Sequence, residues 1–187
     1  MSRKANESEE EAERRLAAYE KCKRRGLKAE RRGAFDDALF WLFIAAQIGW
    51  AHHFGRWIDA EIEEALPRIA EEITRRHTAR IPPQTTASVT KAPARLVHLT
   101  SNVLDTGGHT EIMLAWSETI ERWGGIEQSL ISSEWLDSLQ VGRDKLNLLT
   151  GLMQRCHLCP LGISPVEKVL WLYQRLMKIR PQTIVLH

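Results

Sequence analysis

The sequence predicts an α/β protein: a helical hairpin or bundle of repeat-like character, then an incomplete parallel sheet with helices on its faces. Three observations carry this. From Ser8 to about Arg76, charged residues alternate with Ala, Leu, Ile and Trp at three- and four-residue spacing without a β-branched run, the pattern of amphipathic helices. Residues Ile81 to Pro93 hold three prolines and several hydroxyl side chains with no apolar period, so they read as a linker. Beyond it, short apolar runs alternate with glycine turns and helical text, the order of a parallel sheet. The expected organisation is a helical domain over 1–80, a linker over 81–94 and an α/β domain over 95–187.

Composition narrows the function classes. A chain of 187 residues with 43% hydrophobic content can bury one ordinary core or two small ones, as soluble globular proteins do. Lys and Arg total 26 against 24 Asp and Glu, and the parts on either side of residues 77–83 are each near neutral, which argues against nucleic acid or anionic lipid as partner. The basic stretch Lys21 to Arg32 reads as a solvated helix face. The most apolar run, Ala38 to Trp50, is roughly 13 residues long and follows Asp36 and Asp37, too short to span a membrane. Met1 to Arg15 is charged and lacks an apolar core with a cleavage site, so the cytoplasm is the expected compartment. Cys22, Cys156 and Cys159 cannot make a disulfide framework. Cys156-His157-Leu158-Cys159 has the spacing of zinc and redox sites, but no second pair follows at ligand spacing. Ordinary thiols in a helix-to-loop segment are expected, with no metal and no cofactor.

In the helical part, Gly26 and Gly33 are the punctuation. A second helix of about 13 to 15 residues opens after Gly33-Ala34-Phe35, with Asp36 and Asp37 in its first turn, where the helix dipole favours negative charge. A third follows from about Trp57, with Glu61, Glu63 and Glu64 early and Pro67 to kink or restart it. Trp41, Trp50, Phe54 and Trp57 are the expected core, an aromatic ligand groove being the alternative. His52-His53 reads as surface or packing, because adjacent helical residues face different directions. Gly26, Gly33, Phe35, Ala38, Leu42 and Ala45 fall at the spacing of a tetratricopeptide-like hairpin, which the segment resembles: glycine where helices cross closely, an aromatic one turn before a small residue. Gly55 to Ala60 echoes Gly33 to Ala38 after 22 residues rather than the roughly 34 of a true repeat, so repeat-like packing is expected and not an array. These helices offer a surface to a protein partner.

In the α/β part, Leu96 to Thr100 suits a buried parallel strand, and Ser101 to Gly108 is a polar loop ending in two glycines. A helix begins there, capped by Thr110 or His109, with Glu111 in its first turn. Ile112, Ala115, Trp116 and Ile120 are its expected apolar stripe, and Gly124-Gly125 stops it. Gln128 to Ser132 can be a second strand, Arg143 to Cys156 and Pro165 to Ile179 read as helices, and Thr183 to His187 is the last strand. Ser164 is an acceptable N-cap ahead of Pro165. Ligands bind such sheets outside the carboxyl ends of the strands, here Ser101 to Thr110 and the vicinity of His187.

Gly107 and Gly108 lack Cβ atoms, so backbone N–H groups there can approach an anion, aided by the dipole of the following helix. A diphosphate fits this chemistry, and a tight strand-to-helix turn explains the same two glycines. The three-glycine dinucleotide fingerprint and the Gly-Lys-Ser/Thr of a P-loop are both missing. Asp105 and Glu111 are explained as a loop residue and a helix-start charge. No carboxylate sits in a recognised acid/base pair.

The run Arg95-Leu96-Val97-His98-Leu99-Thr100, then a loop ending Gly107-Gly108-His109-Thr110, then a helix, resembles the start of bacterial two-domain (GT-B) glycosyltransferases of the family 4 type. The closing Arg180-Pro181-Gln182-Thr183-Ile184-Val185-Leu186-His187 is similar to that family's Arg/Lys-Pro-Asp-hydrophobic strand ending in histidine, with Gln182 where an acid often stands. The resemblance covers about 90 residues. It implies a Rossmann-like domain and transfer of a sugar from a nucleotide-diphosphate donor held between two such domains. Gly107 and Gly108 would lie against the donor phosphates or the reacting sugar, His109 and Thr110 would border the cleft, and His187 would be near the acceptor. No second domain follows His187, so the chain is expected to be a fragment, inactive alone. The competing expectation is a non-catalytic protein whose helices bind a peptide or partner helix.

Overall fold

The structure is a computed structural model that describes residues 2–52, 58–77, 93–101, 103, 108–133 and 143–187. Its helices and strands are α1 (Ser2–Arg31), α2 (Phe35–His52), α3 (Ala60–Arg76), β1 (Ala94–Thr100), α4 (Gly108–Trp123), β2 (Ile126–Ser132), α5 (Arg143–Leu152), β3 (Arg155–Leu158), α6 (Pro165–Ile179) and β4 (Thr183–Leu186). The fold is α/β and falls into two compact units. One is formed by α1, α2 and α3 with residues 164–167, the other by the sheet, α4, α5 and the rest of α6.

In the helical unit α1 runs straight through Gly26, which therefore punctuates nothing. A Cβ on Gly26 would stand 2.7 Å from the Leu42 side chain and 3.1 Å from the Leu42 backbone nitrogen, so this glycine lets α1 and α2 cross closely. Gly33 does end α1. At φ 70° it adopts the left-handed conformation, the Ala34 amide donates to the Ala29 carbonyl at 3.0 Å, and the Gly33 amide donates to the Glu30 carbonyl at 2.8 Å. Those two bonds satisfy carbonyls that the helix end would otherwise strand. Arg76 of α3 reaches the same turn, donating to the Gly33 carbonyl at 3.2 Å with its guanidinium over the Phe35 ring.

Among the described residues the tryptophan core expected from sequence is not seen. Trp50 is 68% exposed, Trp41 is half-buried beneath the Arg25 guanidinium, and Phe54 and Trp57 lie outside the described residues. The interior is built from Tyr19, Leu27, Phe35, Leu42, Ile62, Ile69 and Ile73, with Ala38, Ala45 and Ala65 fully covered. Because α2 is apolar on nearly every face, its pattern does not say which side turns inward. The close crossing at Gly26 then favours small and aliphatic residues over indoles. α3 starts at Ala60 rather than Trp57 and continues through Pro67 to Arg76. Its buried Ile62, Ala65, Ile69 and Ile73 lie on one face, and that packing outweighs the single helix bond the proline removes.

The start of α3 is tied to α1 by Asp59. One carboxylate oxygen caps the helix, accepting from the amides of Glu61 at 3.0 Å and Ile62 at 3.4 Å. The other accepts from the Tyr19 hydroxyl at 2.6 Å and the Lys23 ammonium at 2.9 Å. Lys23 is buried and also meets Glu61 at 2.9 Å and Glu20 at 3.3 Å. Burial opposes ionisation of Asp59, but the bonds from Tyr19 and Lys23 outweigh it and hold the carboxyl below its usual range.

The four strands are all parallel in the order β3-β2-β1-β4. α4 and α5 cover one face of the sheet with Met113, Leu114 and Leu149 against Leu130, joined by Val103 and Met153. α6 covers the other with Ile179, Trp171, Leu172 and Leu176 against Val97, Leu99 and Ile131. Pro165 opens α6 as expected, and Ser164 and Glu167 form a reciprocal cap: the Glu167 amide donates to the Ser164 hydroxyl at 3.3 Å and the Ser164 amide to the Glu167 carboxylate at 3.0 Å. Gly124 and Gly125, at φ 69° and 73°, end the α4 segment.

Three expectations fail in this unit. Arg143 to Cys156 is not one helix: α5 ends at Leu152, and Arg155 to Leu158 is the edge strand β3. Four residues are too few to show a period, and the Cys-His-Leu-Cys run belongs to this strand and its exit instead of a helix-to-loop segment. The apolar stripe of α4 is turned. Ile112 and Trp116 are each 51% exposed and Ala115 is exposed, whereas Thr110, Met113, Leu114, Ser117 and Ile120 are buried. His109 and Thr110 lie inside the first turn of α4, which begins at Gly108, and not before it.

Among the described residues no helix is long and apolar enough to cross a membrane. Asp59→Ala is expected to lower the unfolding free energy by about 2 to 4 kcal/mol, the sum of a lost cap and of a buried ammonium left with Glu61 and Glu20 alone. Urea denaturation followed by circular dichroism measures this, and adding Lys23→Met should recover part of the loss. An additive double variant would contradict the pairing.

Candidate functional site

In a parallel sheet ligands gather outside the carboxyl ends of the strands, most of all where successive connections leave in opposite directions. Here that place lies between β1 and β4. From β1 the chain turns through α4 to β2 on one side, and from β3 it crosses through α6 to reach β4 on the other. At the carboxyl end of β1, Thr100 leads to the loop and to α4, whose first amides, like those of every helix, lack intrahelical partners. At the carboxyl end of β4, His187 continues the ladder, its amide donating to the Leu99 carbonyl at 2.9 Å.

Four polar groups meet behind this point. His98, fully buried in the middle of β1, has Nδ1 3.0 Å from His187 Nε2 and Nε2 3.0 Å from Gln128 Oε1. Gln128, equally buried on β2, donates through its Nε2 to the Ser117 carbonyl of α4 at 3.0 Å. The two imidazole planes differ by 26° and their centroids are 5.2 Å apart. That separation exceeds the nitrogen–nitrogen distance by about two ring radii, so the rings meet edge to edge along the hydrogen bond. Trp116, half-exposed on α4, stands edge-on to His187 with ring centroids 6.5 Å apart.

Burial lowers the His98 pKa, the Gln128 bond opposes this, and repulsion from His187 lowers it again. His187 is lowered by burial and then by His109. Both rings are therefore neutral at pH 7.

Of the residues singled out by sequence, His187, His109, Thr110 and Gly108 occupy this end of the sheet. Thr110 is buried and His109 exposed. Gly108 is exposed, has no positive φ, and a Cβ on it would meet nothing within 4 Å. Neither crowding nor backbone strain therefore requires glycine at 108. Gly107 and Asp105 lie outside the described residues. Glu111 pairs with Lys145 on the surface. Gln182 holds the other end of the strand pair, its side-chain oxygen accepting from the Arg95 amide at 2.6 Å.

Sequence reading passed over His98, Gln128 and Ser117. The signal available was polarity at a position that must be buried: His98 in Leu-Val-His-Leu and Gln128 at the head of an apolar strand both need an internal partner. Among the described residues no three His, Cys, Asp or Glu side chains gather as a metal site would require. Comparison with known protein families, curated proteins and solved structures found no match to the chain.

The site predicts an acid-sensitive α/β unit. His98, His157 and His187 all have folded pKa values below the unfolded one, so they bind fewer protons when folded. Their contribution to stability is complete above the unfolded value of about 6.5 and is lost as pH falls below it. Urea midpoints reported by unit-specific amide exchange should drop between about pH 7.5 and pH 5.5 for the sheet. Equal midpoints would contradict the burial of neutral imidazoles.

Proposed function

We propose that the α/β unit is the first Rossmann-like domain of a two-domain glycosyltransferase that moves a sugar from a nucleotide-diphosphate donor to an acceptor in the cytoplasm. The observation that carries this reading is the pairing of Gly108, open at the start of α4, with His187, anchored at the end of β4, on either side of the sheet's switch point. Phosphate oxygens favour a helix N-terminus because its amides and dipole face them, and each such contact is worth roughly 0.3 to 1 kcal/mol where exposed. A side chain at 108 would stand where the phosphate or sugar approaches, which gives the glycine a use the fold does not. Gly107 would share that role, as the resemblance implies, while His109 and Thr110 border the cleft and His187 stands near the acceptor. In the enzymes this chain resembles, a second domain supplies most nucleotide contacts.

A second reading is favoured by one observation on the helical unit. Phe40, Phe43 and Trp50 are 48%, 47% and 68% exposed and follow one another along one face of α2. Such a face suits a partner helix, with the α/β unit structural.

The two readings part at Gly108. Gly108→Ala should leave the unliganded protein as stable as before or more stable by up to about 1 kcal/mol, because alanine favours a helix. The same change should reduce the thermal shift that nucleotide-diphosphate sugars produce in the protein, and Gly108→Val should abolish it. A panel of donors that shifts neither the wild type nor the variants, with all folded, would favour the interaction protein.

A further inference from the structure

The direction of each hydrogen bond behind His187 follows from what the groups can do. A backbone carbonyl only accepts, so the Gln128 nitrogen faces Ser117 and its oxygen faces His98. The flipped amide would set oxygen against the Ser117 carbonyl and is excluded on that ground. An amide oxygen also only accepts, so His98 Nε2 carries hydrogen. His98 is fully buried, among the described residues no carboxylate side chain is bonded to it or to His187, and the side chains that act electrostatically on the pair are each other and His109. His98 is therefore neutral and its Nδ1 is bare. The hydrogen in the His98–His187 bond must then come from His187 Nε2.

We propose that His98 is a positioning residue: with Gln128 and the Ser117 carbonyl it holds His187 in the Nε2–H tautomer, so that Nδ1, on the opposite side of the ring, is a lone-pair acceptor. This assigns the subsite at the end of β4 to a hydroxyl and not to a phosphate. A bare nitrogen receives a hydrogen bond from a hydroxyl but repels an anionic oxygen. Trp116, edge-on to His187 and half-exposed, adds an apolar wall beside it. The anion is left to the first turn of α4. The division of labour between the two ends of the site rests on the glycosyltransferase reading; the tautomer itself does not.

The test is a long-range proton–nitrogen correlation spectrum of the protein labelled with nitrogen-15 histidine, at a pH where both rings are neutral. The seven histidines are assigned for this purpose with His98→Gln and His187→Gln. His98 and His187 should each show a pyrrole-type Nε2 and a pyridine-type Nδ1. Gln128→Glu should then place a carboxylate on His98, protonate it, and make its Nδ1 a donor, which drives His187 to the Nδ1–H tautomer and moves its Nδ1 signal to the pyrrole range. A wild-type His187 already in the Nδ1–H form would overturn the proposal, and that spectrum decides even if the Glu variant does not fold. A folded Glu variant with protonated His98 and an unchanged His187 would overturn it too. Failure of every nucleotide sugar to bind, with the tautomers as stated, would remove the glycosyltransferase reading and leave the relay standing.

Discussion

β1 is an inner strand of a parallel sheet covered on both faces, and much of the α/β unit follows from that constraint. From Val97 to Thr100 its polar side chains have to be satisfied from within, since neither face there offers water. His98 is the demanding case. Its two ring nitrogens recruit one partner from each neighbouring strand, Gln128 on β2 and His187 after β4. Gln128 in turn draws on the Ser117 carbonyl of α4, where a serine faces inward and Trp116 faces out. The rotation of α4 away from its apparent apolar stripe buries Met113, Leu114 and Ile120 and brings the Ser117 carbonyl to Gln128. It is also what sets an aromatic ring beside His187.

The helical unit rests on a different constraint, closeness of approach. Gly26 admits Leu42, the alanines of α2 and α3 keep the helices near, and Phe40, Phe43 and Trp50 are left to the periphery. Within that space one buried charge, Lys23, is tolerated because Asp59, Glu61 and Glu20 surround it. Asp59 serves two needs with its two oxygens, closing the amide end of α3 and anchoring α1. The units therefore keep their polar interiors differently, by ion pairing in one and by neutral imidazoles in the other, and they respond to acid in different pH ranges.

For function, the two ends of the switch point are chemically unlike. The start of α4 presents amides and a glycine with free space above it, a setting for anionic oxygen. The end of β4 presents a neutral imidazole backed by a directed chain of hydrogen bonds, a setting for a hydroxyl.

The order of strands and helices was legible because glycine pairs, a proline after a serine cap and apolar runs mark the ends of elements locally: Gly124-Gly125, Ser164-Pro165 and Leu96 to Leu99 all act where they stand in the chain. The expected place of the site came from the same order, since the carboxyl ends of strands can be read from the sequence. Three things depended on neighbours distant in sequence. Arg155 to Leu158 became a strand because β2 was there to pair with it, Ser117 faces inward with Met113 and Leu114 because that side of α4 packs on the sheet, and Trp50 lies outside where Gly26 brings two backbones together. His98 joins both kinds: its polarity within an apolar run announced that a partner was needed, but which atoms would supply it was decided by a crossover that brings β4, some 85 residues later, alongside β1.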